Sequence, residues 1–376
     1  MKLFNRQPAQ RLYWKTPPAD ILQMPPESTQ QSNDPEPAYI AALLAACGVV
    51  AQCVSANSSI STISYHMKLA DLRQFGKAKN SVAAISARLG RQAAFSIEGQ
   101  ADFSIVLGRA ERRVLAFKSA LLTNPFASMA SGTACILGAD TSNRVIAVDV
   151  SSLPHLLVAG STGSGKSVLL HTIICSMLFK STPSSVNFIM VDVKMVELPQ
   201  YNGIPHLRRS VITDAQEAVN ALALACQEMD SRYAQMARNP GVVFPRLVIV
   251  VDEMADLMAL SKKCVENSII RLAQKSRAAN IHMILSTQSP RASVLTGLIR
   301  SNIPARVGLK TSTALDSRIC IERNGCETLS GKGDAYFIDP ASGGALQRFQ
   351  AAYVSPYDVR QISGYWRSSD CKTTIA

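Results

Sequence analysis

LLVAGSTGSGKS, running from Leu156 to Ser167, decides the fold. Four apolar residues, Leu156 to Ala159, read as a strand; the glycine-rich loop that follows opens into a helix expected from Lys166 to Phe179. Gly160, Ser161, Thr162, Gly163, Ser164, Gly165, Lys166 and Ser167 fit the pattern G-x-x-x-x-G-K-[ST], which has meaning here because strand, loop and helix surround it. Glycines let the backbone curl until its N–H groups point at phosphate oxygens, and the helix start adds a favourable dipole. Lys166 is expected to reach the β- and γ-phosphates of a bound nucleotide, and Ser167 to ligate Mg²⁺. A glycine- and serine-rich turn with no ligand is the plainer alternative.

Outward from that loop, Arg246-Leu-Val-Ile-Val-Val-Asp252-Glu253 places two carboxylates after five apolar residues. A buried central strand would deliver Asp252 to the sheet edge beside the phosphate loop, where it can hold Mg²⁺, and would leave Glu253 to polarise the attacking water. Glu253 could instead simply favour the start of the next helix. Another strand, Ile281 to Ser286, ends in Thr287-Gln288, an amide able to sense a γ-phosphate or to act as an ordinary loop side chain. With further strands at Asn187–Asp192 and Leu247–Asp252, and helices at 214–237 and 265–279, the pattern alternates strand and helix. That implies an α/β fold with a parallel central sheet.

Towards the ends the signals weaken. Residues 38–111 read as a small α+β domain: helix, strand 49–54, strand 60–67, helix 81–89 and strand 104–107. Residues 1–37 hold seven prolines among Gln, Ser and Asn, and read as a flexible tail; the α/β domain spans 112–366, and 367–376 reads as a C-terminal tail. The longest apolar stretch, Ala38 to Ala51, is shorter than the ~20 residues that cross a bilayer, so no membrane span is expected. The start turns polar at Asn5, against a secretory signal.

Composition agrees with a folded, polyanion-binding protein. Of 376 residues, 47% are hydrophobic, which excludes whole-chain disorder, and 39 basic against 27 acidic side chains leave a net charge of +12. Nine cysteines without CxxC spacing argue against both a zinc module and a paired disulfide framework, and suit a reducing, cytoplasmic compartment. The isolated histidines His155, His171, His206 and His282 read as packing or surface residues, and Cys175, Cys226, Met254 and Met258 as core.

Several further runs carry a resemblance: DVKMVELPQYNGIPHL (Asp192–Leu207), VVDEMADLM (Val250–Met258), RLAQKSRAANIH (Arg271–His282), STQSP (Ser286–Pro290), LTGLIRSNIPARV (Leu295–Val307) and LDSR (Leu315–Arg318). With the phosphate loop, they make the chain resemble the FtsK/SpoIIIE family of DNA translocases from about residue 38 to Trp366. The resemblance implies a RecA-like motor that forms a homohexameric ring, hydrolyses ATP and moves double-stranded DNA through its pore. It assigns pore-facing basic roles to Arg300 and Arg318, and a trans-acting arginine finger to Arg277, with Arg306 the runner-up. Any one of these arginines could instead be a solvated charge or a local ion pair. Two positions depart from the family pattern. Thr287-Gln288-Ser289-Pro290 lacks the expected arginine, for which Arg291 is the substitute, and Ala314 stands where a basic residue is common.

Between Arg271 and Lys332 ten basic residues face three acids, a net of +7, as a surface tracking a phosphate backbone requires. Family members commonly carry a membrane domain and a winged-helix domain; neither is found here, so anchoring or loading is expected from a separate partner, as in plasmid, phage or mobile-element transfer or in segregation. The link from Met236 to Leu247 is also short for the family. Two other functions compete: a coupling or secretion ATPase that delivers a protein or nucleoprotein to a membrane channel, and a nucleotide-dependent switch without motor action.

Overall fold

Residues 12–24, 34–58, 60, 62–97, 99, 102–109 and 114–374 are described by the structure, a computed structural model. After β1 (Leu12–Trp14), the small domain is built from α1 (Pro37–Ala46), β2 (Ala51–Ser58), β3 (Thr62–Leu69), α2 (Phe75–Leu89), β4 (Ala93–Ile97) and β5 (Asp102–Gly108). Its antiparallel sheet has the order β2-β3-β5-β4. Alternate residues of β3 and β5, among them Tyr65, Met67, Phe103 and Ile105, are buried against Ile40 and Leu44 of α1 and Ile85 of α2. The described residues here form two helices and four strands, one strand more than the sequence suggests: β4 is only half-buried and lacks a strong apolar run. The boundary expected between 111 and 112 lies outside the described residues.

The second domain holds α3 (Phe117–Leu121), α4 (Asn124–Ala127), β6 (Ala134–Asp140), β7 (Val145–Asp149), β8 (His155–Ala159), α5 (Lys166–Lys180), β9 (Val186–Val191), α6 (Ala215–Arg238), β10 (Arg246–Val251), α7 (Met254–Lys275), β11 (Ile281–Thr287), α8 (Gly297–Asn302), β12 (Arg306–Leu309), α9 (Ala314–Ile321), β13 (Asp334–Ile338), β14 (Leu346–Ala351), α10 (Pro356–Arg367) and β15 (Lys372–Thr374). Nine strands form one sheet in the order β7-β6-β14-β13-β12-β8-β11-β10-β9. The five from β12 to β9 are parallel, as expected. The other four extend the sheet antiparallel, which makes it mixed.

Both faces of the parallel block are covered, which is why its strands are apolar throughout rather than alternating. Leu156, Val158, Val248, Val250 and Ile284 face Leu169, Ile173 and Met177 of α5. Their neighbours Leu157, Ile249, Val251, Met283 and Leu285 face Leu222 and Met229 of α6 and Leu257 and Ile269 of α7. Asp214 caps α6, accepting from Glu217 N at 2.7 Å. α7 begins earlier than expected because Glu253 caps it, and it bends at Ser261, whose backbone leaves helical geometry (φ −150°, ψ 68°).

Both expected tails need correcting where they are described. β1 pairs antiparallel with β15, Trp14 packs on Trp366 with ring centroids 6.3 Å apart, Leu22 is buried, and Gln23 N donates to Asp358 Oδ1 at 3.0 Å. Proline blocks a long helix here but not an extended segment with one short helical turn at Ala19–Ile21, and two apolar side chains suffice to dock it. At the other end Cys371 is fully buried. All nine cysteines are unpaired. No helix among the described residues is long and apolar enough to cross a membrane.

Candidate nucleotide site and arginine positions

Parallel strands bring their following residues to one edge, so the loop after β8, the acids after β10 and the polar pair at the end of β11 converge. The loop is gripped by its neighbours. Gly160 N donates to Thr287 O at 3.2 Å, Ser161 N to Lys310 O at 2.8 Å, and Gly333 N to Ser164 O at 2.7 Å. Gly165 has φ +102°, and a Cβ there would lie 2.4 Å from Gly333 N, so no other residue fits. The result is a cavity of about 620 Å³ lined by Ser161–Gly163, Gly165–Val168, Gln288 and Glu197, and by Val114, Lys332, Gln350 and Tyr353 on the far side.

Lys166 is buried and donates to Asp252 Oδ1 at 2.6 Å, Asp252 O at 2.8 Å and Ser286 Oγ at 3.1 Å. The lysine of the phosphate loop and the acid after β10 are thus in contact across the edge. Gln288 Oε1 accepts from Thr162 Oγ1 at 2.8 Å, which ties the end of β11 to the phosphate loop. Glu253 is nearly fully buried, and both its oxygens are occupied. Oε1 accepts from Thr287 Oγ1 at 2.6 Å and from Ala255 N at 3.2 Å; Oε2 accepts from Gln288 N at 3.0 Å, with Lys194 Nζ at 3.5 Å. Glu253 therefore does cap α7, and the same carboxylate stands in the site.

Two contributors escape sequence reasoning. Glu197 lies beside Ser167, and the His171 imidazole, 3.1 Å away, holds its carboxyl down at about 2; partial burial opposes this and the Ser167 hydroxyl reinforces it. Lys194 bridges Glu253 and Asp256, whose carboxyl is pushed up first by burial and then by the neighbouring acids Glu253, Asp252 and Asp192. Both residues sit in the loop after β9, within a run that carries no pattern of its own chemistry. His171 is the one isolated histidine whose packing reading needs revision, since it contacts a site residue. His155, His206 and His282 are buried and pack as expected.

A hydroxyl and a carboxylate from the two elements, Ser167 and Asp252, are hard oxygen donors suited to Mg²⁺, which takes its remaining ligands from phosphates and water. Asp192 Oδ1, buried at the same edge without a partner among the described residues, fits a cation nearby. The residues present fit the ion.

The arginines separate. Arg277 follows α7 and precedes β11, at the opposite edge of the sheet from the phosphate loop. A strand of five to seven residues puts roughly 17–23 Å between the two edges. Arg277 is exposed, in a shallow basic pocket with Arg246, Lys275 and His282, and has no ion pair among the described residues. Arg306 is spent within its own subunit: it is buried, its Nη1 is 3.0 Å from Glu322 Oε1, and it donates to Ile303 O and Arg300 O. It is not a finger. Arg291 and Arg318 are exposed, the latter donating to Asn324 at 2.9 Å; Arg300 is half-buried, with Nε lacking a partner among the described residues.

Comparison with known proteins follows the same lines. A family model described as the FtsK/SpoIIIE family matches residues 118–243 and 241–292. DNA translocase FtsK 1 of Neisseria meningitidis serogroup B is 35% identical over 407 residues, covering 96% of this chain and 50% of that protein. DNA translocase SftA of Bacillus subtilis is 38% identical over 288 residues, covering 72% of this chain and 30% of that protein. The chain spans half or less of the length of these relatives. The solved conjugation coupling protein TcpA of pCW3 shares the fold, with a TM-score of 0.58 and 22% identity, covering 85% of this chain and 95% of that one.

Proposed function

Because the chain belongs to the FtsK/SpoIIIE family, we propose that it hydrolyses ATP to move double-stranded DNA, working in the cytoplasm as a homohexameric ring. The reading rests most on one contact set: Glu253 is tied through Thr287 and Gln288 to the segment that leads directly to Arg291. A duplex phosphate that pulls on this segment would disturb the same bonds that restrain the acid. Fuel use and grip then share one mechanical part.

Within that scheme the residues divide the work. Backbone N–H groups of Gly160–Ser167 cradle the phosphates, and Lys166 exchanges its bonds to Asp252 for bonds to the β- and γ-oxygens. Ser167 and Asp252 would hold Mg²⁺, which when bound neutralises charge developing on those oxygens. Glu253, once released from Thr287 and Gln288, accepts a proton from the attacking water, while Gln288 orients the γ-phosphate side. Arg277 reaches the phosphate of the neighbouring subunit, since its own lies at the far edge. Arg291, Arg300 and Arg318 contact backbone phosphates without reading bases, so affinity falls steeply with salt.

The test is ATP turnover with and without long linear duplex DNA, together with displacement of a triplex-forming strand. Stimulation with displacement is expected. Turnover indifferent to duplex, in a protein stimulated by a membrane-channel partner instead, would favour a coupling or secretion ATPase.

A further inference from the structure

The turn before β13 leaves ordinary backbone geometry at three successive residues: φ is +75° at Gly331, +52° at Lys332 and +91° at Gly333. Glycine takes such angles freely, whereas in lysine the Cβ then crowds its own backbone. Strain of that kind persists only where the surroundings impose it, and it gathers at ligand clamps. Here the phosphate loop and β14 impose it. Gly333 N donates to Ser164 O at 2.7 Å, Ala351 N donates to Gly333 O at 2.7 Å, and Gln350 Nε2 donates to Lys332 O at 2.8 Å. The turn rides so close over the loop that a Cβ on Gly165 would lie 3.1 Å from the carbonyl carbon of Lys332. The Lys332 side chain is exposed, lines the nucleotide cavity, and has no ion pair or side-chain hydrogen bond among the described residues. In the sequence it closes the basic run that starts at Arg271 and suits a DNA surface; in the fold it stands over the phosphate loop instead.

We propose that Lys332 is a second phosphate-binding cation, whose ammonium meets the α-phosphate of the bound nucleotide from the wall opposite the loop. This deepens the nucleotide-site reading above and rests on it. Lys166 serves the β- and γ-oxygens at the edge where Asp252 stands, while Lys332 shares the far wall with Val114, Gln350 and Tyr353. A compact charge on a flexible four-carbon stem suits a phosphate oxygen without demanding one orientation. Charge on the α-phosphate does not change as the γ-phosphoryl group leaves, so the contact binds ground state and transition state alike. It tightens the nucleotide without speeding the chemistry.

The experiment is calorimetric titration of ATPγS and of ADP, each with Mg²⁺, into the full chain. Lys332→Ala should weaken both by the same factor, about tenfold, and raise the KM for ATP while kcat stays within twofold. Lys332→Arg should keep most of the affinity. Lys332→Gly separates charge from backbone, because glycine fits the left-handed angle; it should lose as much as Lys332→Ala, and wild-type affinity in it would overturn the proposal. Affinities within twofold of wild type for Lys332→Ala would do the same, as would a loss confined to ATPγS, which puts the ammonium at the γ-phosphate. Duplex affinity, read by fluorescence anisotropy without nucleotide, should be unchanged in Lys332→Ala; a fall there with nucleotide binding intact would return Lys332 to the DNA surface. Wild-type protein that binds neither nucleotide, or Lys166→Ala that binds both as well as wild type, would instead remove the nucleotide-site reading itself.

Discussion

Glu253 has two oxygens and four partners, and that crowding is the most informative fact at the scale of a single residue. Its replacement by Gln keeps the shape and much of the hydrogen bonding but removes the base. Turnover should fall by about 10²–10⁴-fold while the affinity for ATP stays within a few-fold of wild type, as measured by single-turnover hydrolysis beside equilibrium binding. Retained biological activity in this variant would support a binding switch over a motor. Asp252 and Glu253 are legible in the sequence because an apolar strand ending in two acids has only one edge to occupy. Glu197 is not, because it stands 26 positions from His171 and only the turn after β9 brings the two together. Arg306 shows the opposite failure: a basic residue in a basic run invites a functional role, and nothing local reveals that Glu322 and two carbonyls consume it.

Among the elements, β11 would carry the proposed coupling, since its last residue, Thr287, bonds both the phosphate-loop side and the acid. Thr287→Val removes the hydroxyl at nearly constant volume. One lost hydrogen bond is worth about 0.5–1.5 kcal/mol, so basal hydrolysis should rise by about 2–10-fold and stimulation by duplex should shrink in proportion. Unchanged basal turnover with full stimulation would mean that the bond does not restrain the acid. Four of the five parallel strands, β8 to β11, are legible because each is a largely apolar run between a helix and a polar edge, whereas β12 is four residues long and holds Arg306 and Gly308. The antiparallel extension is less so: β13 and β14 mix polar and apolar residues, buried in part through pairs such as Asp334 with Arg348, whose Nη2 lies 2.8 Å from its Oδ2. Alternation of that kind looks the same on a free edge and in the middle of a sheet. The bend at Ser261 has no local signal either.

For the whole molecule, the proposed trans role of Arg277 would make contact between copies head-to-tail, because the phosphate loop lies on one edge and Arg277 on the other, and such contacts close into a ring or run on as a filament. Arg277→Ala and Lys166→Ala should each be inactive alone. Mixed, they should regain part of the turnover, because an intact loop from one variant can meet an intact arginine from the other; turnover no greater than the sum of the two would refute a trans role. Stability has its own signature. Burial pushes His155 down to about 3, and His206 and His282 to about 4. The unfolded chain takes up these protons below about pH 6.5 and the folded chain does not, so stability is level above that pH and declines towards pH 4, at a limit of about 1.4 kcal/mol per pH unit for each histidine. Urea midpoints at pH 7 and pH 5 check this, and equal midpoints would contradict it. The pairing of β1 with β15 also decides how the protein answers to force. Leu12 sits opposite Thr374, so handles at the two termini would pull both strands from the same end of the ribbon, unzipping it one bond pair at a time. A pulling trace should open with a small, low-force step from this clasp, well before the parallel core bears any load.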